Sequence, residues 1–254
     1  MKWMISRVCI GGILFILALT ALVHAEPLRV GYFRFPPHAM FENGEDIGSA
    51  IDYFKLVNAN MKLGDVKFIL LPNARLLKYI ETGEIDIGLV FAKNPERAAR
   101  FKYPVEPFGA MVMAIALEKS YPLHKIRSID DLLSITIGYL KEAYLPEMLR
   151  DERLKFRFLT GKDWTLQNLL KVKNGRLDAA LSDYYSLVYE AKKNGLLQDL
   201  KILKLDGTEV GLYSVMSEAC AEKHLRSYEA ALEKVKTSKT YNQAFEAFIK
   251  RSVK

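Results

Sequence analysis

An arginine in the first turn of a predicted helix is the residue with the clearest potential for chemistry. Asn94 is a favourable N-cap and Pro95 a favourable first helical residue, which places Arg97 in that turn. The helix dipole disfavours a cation there by roughly 0.3 to 1 kcal/mol. A bound carboxylate would make this position favourable, because the guanidinium and the free backbone N–H groups would both donate hydrogen bonds to it. The alternative is an exposed Arg97 paired with Glu96 or Asp86.

An aspartate occupies the corresponding place later in the chain. Ser182-Asp183 ends a predicted strand and precedes a helix that runs to Asn194-Gly195. The simpler interpretation of Asp183 is that it caps this helix. Its carboxylate is also suited to accept an ammonium group. If Arg97 and Asp183 face each other across a cleft, a zwitterion would contact both and hold the cleft closed.

Both residues follow strands in an alternating pattern of strands and helices. Strand-like runs at 28–33, 66–71 and 85–91 are separated by segments with helical spacing of apolar residues, and the alternation restarts at Ser134. Such alternation predicts an α/β sheet with crossover helices. Ligands of these sheets bind beyond the carboxyl ends of the strands, which is where Arg97 and Asp183 lie.

An internal repeat divides the chain into two α/β halves. The segment Gly83–Leu89 matches Gly175–Leu181, with a glycine ending a helix and an aspartate at the second strand position in each. Chance similarity of two buried strands is the alternative. Extended apolar runs at 108–118 and 211–216 predict two strands that cross between the halves and form a hinge. The C-terminal helices are expected to cover the sheet of the first half.

The first 25 residues have the composition of an export signal. Lys2 and Arg7 precede an uncharged apolar run at 8–23, and cleavage is predicted after Ala25. The run is shorter than the ~18 to 20 residues that a membrane-spanning helix needs, so an uncleaved anchor is the less favoured alternative.

The composition of the rest argues against several classes of protein. Only two of the 37 Lys and Arg residues lie in the first 25 residues, so the rest of the chain has 35 Lys and Arg against 30 Asp and Glu, a net charge of +5. These charges are dispersed along the chain, whereas a nucleic-acid-binding surface would have clustered Lys and Arg. Cys9 lies in the leader, so no intramolecular disulfide is possible, and the remaining Cys220 is more simply a small buried residue than a nucleophile. His38, His124 and His224 are scattered, and we predict neither a metal site nor a cofactor.

Several motifs in a fixed order resemble family 3 of the bacterial extracellular solute-binding proteins, the periplasmic components of polar amino-acid ABC transporters. The motifs are Leu28-Arg-Val-Gly31, Phe35-Pro36-Pro37, Gly48, Gly83-Glu-Ile-Asp86, Pro95-Glu96-Arg97, Ser128-Ile-Asp-Asp-Leu132, Gly175-Arg-Leu-Asp178, Asp183 and Tyr241.

The resemblance implies the periplasmic binding protein type II fold, with two Rossmann-like lobes joined by a two-strand hinge. After the signal peptide at 1–25, residues 26–112 plus 209–254 would form lobe 1 and residues 113–208 lobe 2. We expect a periplasmic monomer that captures an amino acid or related carboxylate and delivers it to an inner-membrane permease. The resemblance also assigns the ligand carboxylate to Arg97, the ammonium to Asp183 and packing on the ligand side chain to Phe35, whose alternative is a core position.

The chain departs from the family pattern around the expected site. Val90, Phe91 and Ala92 replace serines before the arginine, and Lys141-Glu142-Ala143-Tyr144 replaces a Gly-Ser/Thr turn. A standard small polar amino acid is therefore not assured as the ligand. Arg34, Lys93 and Lys141 indicate either a more acidic ligand or a positive rim that steers anions. The candidate ligand-binding residues are Phe35, Phe91, Asn94, Arg97, Tyr144 and Asp183.

Two other functions are compatible with this fold. One is an enzyme that dehydrates cyclic acids, for which Glu142 is the one spare carboxylate near the cleft, although an exposed first-turn residue is its simpler interpretation. The chain has no Ser/His/Asp or Cys/His arrangement, and we predict that it is not an enzyme. The other is a soluble sensor that presents its ligand-bound form to a membrane receptor.

Overall fold

The computed structural model describes residues 26–252, and the predicted signal peptide lies outside them. The described chain is a mixed α/β structure with an eight-stranded sheet, a two-stranded hairpin and seven α-helices. The strands are β1 (Leu28–Tyr32), β2 (Met40–Glu42), β3 (Glu45–Ile47), β4 (Val66–Leu70), β5 (Ile87–Phe91), β6 (Gly109–Glu118), β7 (Thr136–Leu140), β8 (Lys155–Leu159), β9 (Ala179–Asp183) and β10 (Leu200–Met216). The helices are α1 (Ser49–Met61), α2 (Asn73–Glu81), α3 (Pro95–Arg100), α4 (Trp164–Lys173), α5 (Tyr184–Lys193), α6 (Glu218–Ser238) and α7 (Tyr241–Ser252).

The large sheet has the strand order β4-β1-β5-β10-β6-β9-β7-β8. Strand β1 pairs in parallel with β4 and β5, and β7 pairs in parallel with β8 and β9. Between these parallel units lie the two long strands β6 and β10, which run antiparallel to each other and to their outer neighbours. The predicted α/β fold with two lobes joined by two long strands is therefore confirmed. The alternation of periods predicted the sheet, the internal repeat the two lobes, and the extended apolar runs the connecting strands.

The repeated aspartates make the same contact in both lobes. Asp86 Oδ2 accepts a hydrogen bond from the backbone N of Arg29 at 2.8 Å, and Asp178 Oδ2 accepts one from the backbone N of Thr136 at 2.7 Å. In return the backbone N of each aspartate donates to the carbonyl of the same partner, at 3.0 Å for Asp86 and 3.1 Å for Asp178. Each aspartate thus links the segment before β5 or β9 to the first strand of its lobe, β1 or β7. This shared contact explains why the sequence around the aspartate is repeated.

The C-terminal helices α6 and α7 pack on α1 of the first lobe. Tyr228, Tyr241 and Phe248 are their largest buried side chains. Cys220 is buried at the start of α6, and its burial raises the pKa of the thiol to about 12, so it is a packed residue and not a nucleophile at neutral pH. Within residues 26–252, none of the helices combines the length and apolarity needed to cross a membrane.

Gly48 precedes α1 and lies against the loop that carries His38. Its φ is 141°, and an added Cβ would lie 2.2 Å from the His38 carbonyl oxygen and 2.8 Å from the Ala39 Cα. Because these neighbours are backbone atoms, no side-chain rotation relieves the clash. The lack of a side chain at Gly48 therefore allows the His38 loop to lie this close to the start of α1.

We expect Gly48→Ala to lower the free energy of unfolding by roughly 1 to 3 kcal/mol through overpacking, in addition to backbone strain. The matched control is Gly44→Ala, which also has a positive φ, 84°, but nothing within 4 Å of the added Cβ. Urea unfolding monitored by circular dichroism compares the two variants. An equal loss of stability in both would contradict the close contact at Gly48.

Candidate functional site

A cavity lies between the two lobes, at the carboxyl ends of β5, β7 and β9. Its non-atom space is about 430 Å³, a volume that includes open solvent at the mouth. Five of the six candidate residues line it, namely Phe35, Phe91, Arg97, Tyr144 and Asp183. The sixth, Asn94, does not line the cavity but caps the helix that carries Arg97.

Arg97 enters the cavity from the first turn of α3, and only 8% of the residue is exposed. Asn94 caps the helix as predicted, since its Oδ1 accepts a hydrogen bond from the backbone N of Arg97 at 2.7 Å. The guanidinium donates through Nη2 to the Glu142 carbonyl at 2.9 Å and through Nη1 to the Ala92 carbonyl at 3.4 Å. Burial lowers the pKa of Arg97 because desolvation disfavours the charged form, although an arginine remains protonated.

Arg97 has no carboxylate within 4.0 Å of its guanidinium among residues 26–252. The alternative of an exposed ion pair with Asp86 does not hold, because Asp86 is paired with Arg29 at 2.7 Å. A buried charge without an opposite charge is costly. The environment of Arg97 is therefore suited to a bound anion.

Asp183 faces the cavity from the other lobe and is 1% exposed. Its Oδ2 accepts hydrogen bonds from the Ser186 backbone N at 3.0 Å and from His38 Nε2 at 3.1 Å. Asp183 is thus the N-cap of α5, as the simpler interpretation held. Its Oδ1 is buried and has no hydrogen-bond partner in the described chain. This oxygen remains available to a ligand donor.

His38, which the sequence did not indicate as a site residue, connects Asp183 to lobe 1. Its Nδ1 lies 2.6 Å from the Tyr241 hydroxyl, which in turn lies 2.8 Å from Ser49 Oγ. Burial, together with the nearby charge of Asp183, raises the pKa of Tyr241 well above its usual range, so its hydroxyl stays protonated. The partners of His38 lie 145 and 203 residues away in the sequence, so no local pattern links them.

Arg34 also joins the two lobes. Its Nη1 donates to Glu190 Oε1 at 2.7 Å, and its Nε lies 3.3 Å from Asp163 Oδ1. The Glu190 side chain is only 1% exposed. Arg34 therefore neutralises a buried carboxylate of the opposite lobe and adds little positive charge to the mouth. Lys93 lies over the rings of two tyrosines, with its Nζ 5.6 and 5.8 Å from their centroids.

Aromatic rings form a continuous wall of the cavity. Phe33 stacks on Phe35 with centroids 5.4 Å apart, and Phe35 stacks across the lobes on Trp164 at 6.2 Å. The Trp164 ring meets Tyr139 edge-on at 5.9 Å. Phe35 is 5% exposed, so it is both a core residue and part of the cavity wall.

Four polar atoms of residues that line the cavity are buried without a hydrogen-bond partner in the described chain. They are Asn73 Nδ2, Trp164 Nε1, Ser182 Oγ and Asp183 Oδ1. A buried polar group without a partner costs about 1 to 3 kcal/mol. A ligand that supplies both donors and acceptors would satisfy these four atoms. Asn73, Trp164 and Ser182 belong to no motif, so the sequence did not indicate them as site residues.

Two residues at the site have the left-handed backbone conformation. Val90 has a φ of 66°, which is strained for a β-branched residue, and it lines the cavity next to Phe91. Glu142 has a φ of 60°, and its carbonyl accepts the hydrogen bond from Arg97. The Glu142 residue itself is exposed, as its simpler interpretation held, but it lies in a turn after β7 and not in the first turn of a helix, and it does not line the cavity. Glu142, the carboxylate that the sequence offered for the enzymatic alternative, is therefore not part of the cavity wall.

The fold and the interlobe cavity define a type II periplasmic binding protein. The chain belongs to the bacterial extracellular solute-binding proteins, family 3, whose family model matches residues 28–251. Among curated proteins, none matches the chain significantly.

Solved structures of this fold superpose well at low sequence identity. An ancestral arginine-binding protein bound to arginine has a TM-score of 0.75 at 22% identity, covering 88% of this chain and 98% of its own. A histidine kinase sensor domain with similarity to periplasmic binding proteins has a TM-score of 0.75 at 17% identity, covering 88% and 96%. The GluR0 ligand-binding core from Nostoc punctiforme in complex with L-glutamate has a TM-score of 0.72 at 18% identity, covering 87% and 99%. These similarities establish the fold.

We expect Arg34→Ala to destabilise the protein markedly, because Glu190 would stay buried without its cation. Loss of one partner of a buried pair costs about 3 to 5 kcal/mol, and separation of the lobes would relieve part of this cost. The control is Arg100→Ala, whose ion pair with Glu81 has side chains 38% and 44% exposed and should contribute less than about 1 kcal/mol. Urea unfolding measures both losses, and similar values would show that the Arg34 pair does not hold the lobes together.

Proposed function

We propose that this protein captures an amino acid or a related small carboxylate between its lobes. The observation that supports this most directly is the pairing, in one cavity, of a buried guanidinium that lacks a carboxylate with a buried carboxylate oxygen that lacks a donor. Arg97 and Asp183 present these groups from opposite lobes. An α-amino acid carries the two complementary charges on one carbon atom, so it would satisfy both groups at once.

Each candidate residue has a distinct role in this proposal. Arg97 binds the ligand carboxylate, with Asn94 holding it in place through the cap of α3. Asp183 accepts the ammonium through Oδ1. Phe35, together with Phe91 and Tyr144, forms the wall against which the ligand side chain packs.

The binding step is closure of the lobes around the ligand. We assign residues 26–112 plus 209–254 to lobe 1 and residues 113–208 to lobe 2. Under this assignment His38–Asp183, Arg34–Glu190 and Arg97–Glu142 are contacts between lobes. A ligand that touches both lobes stabilises the closed state by its greater affinity for that state.

The biological setting that fits best is uptake from the periplasm. The family is named for extracellular solute binding, and the similar solved structures include proteins described as bound to arginine or to L-glutamate. We therefore propose an exported monomer, cleaved after Ala25, that delivers its ligand to an inner-membrane permease of an ABC transporter. Its role is binding and not catalysis.

A sensor is the second candidate, and one observation favours it. The similarity to a histidine kinase sensor domain is as high, by TM-score, as that to the arginine-binding protein. Lobe closure serves both roles, and only the membrane partner differs.

Substitution of the two charged residues tests the site. We expect Arg97→Ala and Asp183→Asn each to weaken amino-acid binding by at least about 30-fold, because each leaves an opposite charge buried without its partner. Asn is as good an N-cap as Asp, so α5 remains capped in the second variant. Isothermal titration calorimetry with the twenty amino acids measures the affinities. Arg100→Ala, on the same helix but exposed, is the matched control and should bind like the parent. Parent-like binding by both site variants would exclude this site.

A further inference from the structure

The α-carboxylate and α-ammonium groups of an amino acid would pair with all the charged side chains that line the cavity. Among the residues that line it, Arg97 is the sole cation and Asp183 the sole acidic side chain. If these bind the carboxylate and the ammonium, no charged side chain of the cavity wall remains for the rest of the ligand.

The charged groups just outside the cavity have partners elsewhere. Arg34 is paired with Glu190 and Asp163, and Lys93 lies over tyrosine rings. Glu142 contributes its backbone carbonyl, and the residue is exposed. None of these groups lines the cavity. A charged ligand side chain would therefore lose its hydration without gaining an ion pair, which is strongly unfavourable.

The rest of the wall is mainly apolar, and its remaining polar side chains are neutral. The apolar surface comes mainly from Phe33, Phe35, Phe91, Met111, Tyr139 and Trp164. Three of its neutral polar atoms are buried without a partner in the described residues: the donors Asn73 Nδ2 on lobe 1 and Trp164 Nε1 on lobe 2, and Ser182 Oγ, a hydroxyl that can donate or accept. Such a wall matches an uncharged side chain, either apolar throughout or carrying one hydrogen-bond acceptor.

Resting on the proposed function, we infer that this site selects amino acids with an uncharged, largely apolar side chain, and that Asn73 and Trp164 determine this specificity. Among the similar structures, two are named as bound to amino acids with charged side chains, arginine and L-glutamate, and one as bound to glutamine, which is uncharged.

The first test is calorimetry of the full-length protein with leucine, methionine, phenylalanine and glutamine against arginine, lysine, aspartate and glutamate. We expect at least one neutral amino acid to bind about 100-fold or more tightly than any charged one. A charged amino acid that binds as tightly as the best neutral one overturns the specificity and leaves the proposed function intact. If no amino acid binds, the proposed function fails and the specificity with it.

The second test changes the charge of the wall. Asn73→Asp is nearly isosteric, and an aspartate is favourable in the first turn of α2. We expect it to bind lysine or arginine at least tenfold more tightly than the parent and the best neutral ligand more weakly. Asn60→Asp is the control, since it makes the same charge change at an exposed position. If both variants retain the parent's ligand profile, Asn73 does not contact the ligand side chain.

Trp164→Phe provides an independent measurement, because it removes the N–H donor and keeps an aromatic ring. We expect it to weaken a neutral ligand that carries an acceptor, such as glutamine, about tenfold, which corresponds to one lost hydrogen bond. The affinity for leucine, whose side chain has no acceptor, should fall less than the affinity for glutamine. An equal effect on the two ligands would show that Trp164 contributes only its ring.

Discussion

The burial of one guanidinium without a carboxylate partner is the constraint on which the site depends. The cap by Asn94 and the carbonyls of Ala92 and Glu142 hold Arg97 in place, but carbonyl dipoles do not neutralise its charge. Arg97 therefore favours an anionic ligand, and the strained backbone at Val90 and the turn at Glu142 shape the space around it. Binding of a carboxylate would recover the free energy that its desolvation costs.

On the opposite lobe, Asp183 carries the charge complementary to that of Arg97. Its two carboxylate oxygens have different roles. One is held by His38 and by the first turn of α5, while the other is buried and free to accept a ligand donor. The chain from Asp183 through His38 to Tyr241 thus orients the carboxylate. With the Arg34–Glu190 pair it places polar contacts across the lobe interface, so closure involves electrostatic as well as apolar surfaces.

Much of the fold was accessible from the sequence because its causes are local. Alternating periods of two and 3.6 predicted the α/β sheet, and the repeated segments around Asp86 and Asp178 predicted two related lobes, which the strand order confirms. The cap at Asn94 and the position of Arg97 in the first turn of α3 also follow from neighbouring residues. The same local rules identified Asp183 as an N-cap, whereas its contact with His38 lay beyond them.

By itself, then, the sequence determined the class of fold, the internal repeat and the two charged positions at strand ends, since these depend on residues within a few turns of each other. Only the tertiary structure decided which groups meet across the cavity. It paired Arg34 with Glu190, placed His38 against Asp183, and brought Asn73 and Trp164, each with a buried donor that has no partner in the described residues, to the wall of one cavity. Those contacts join residues far apart in the chain, and they exist only once the two lobes pack together.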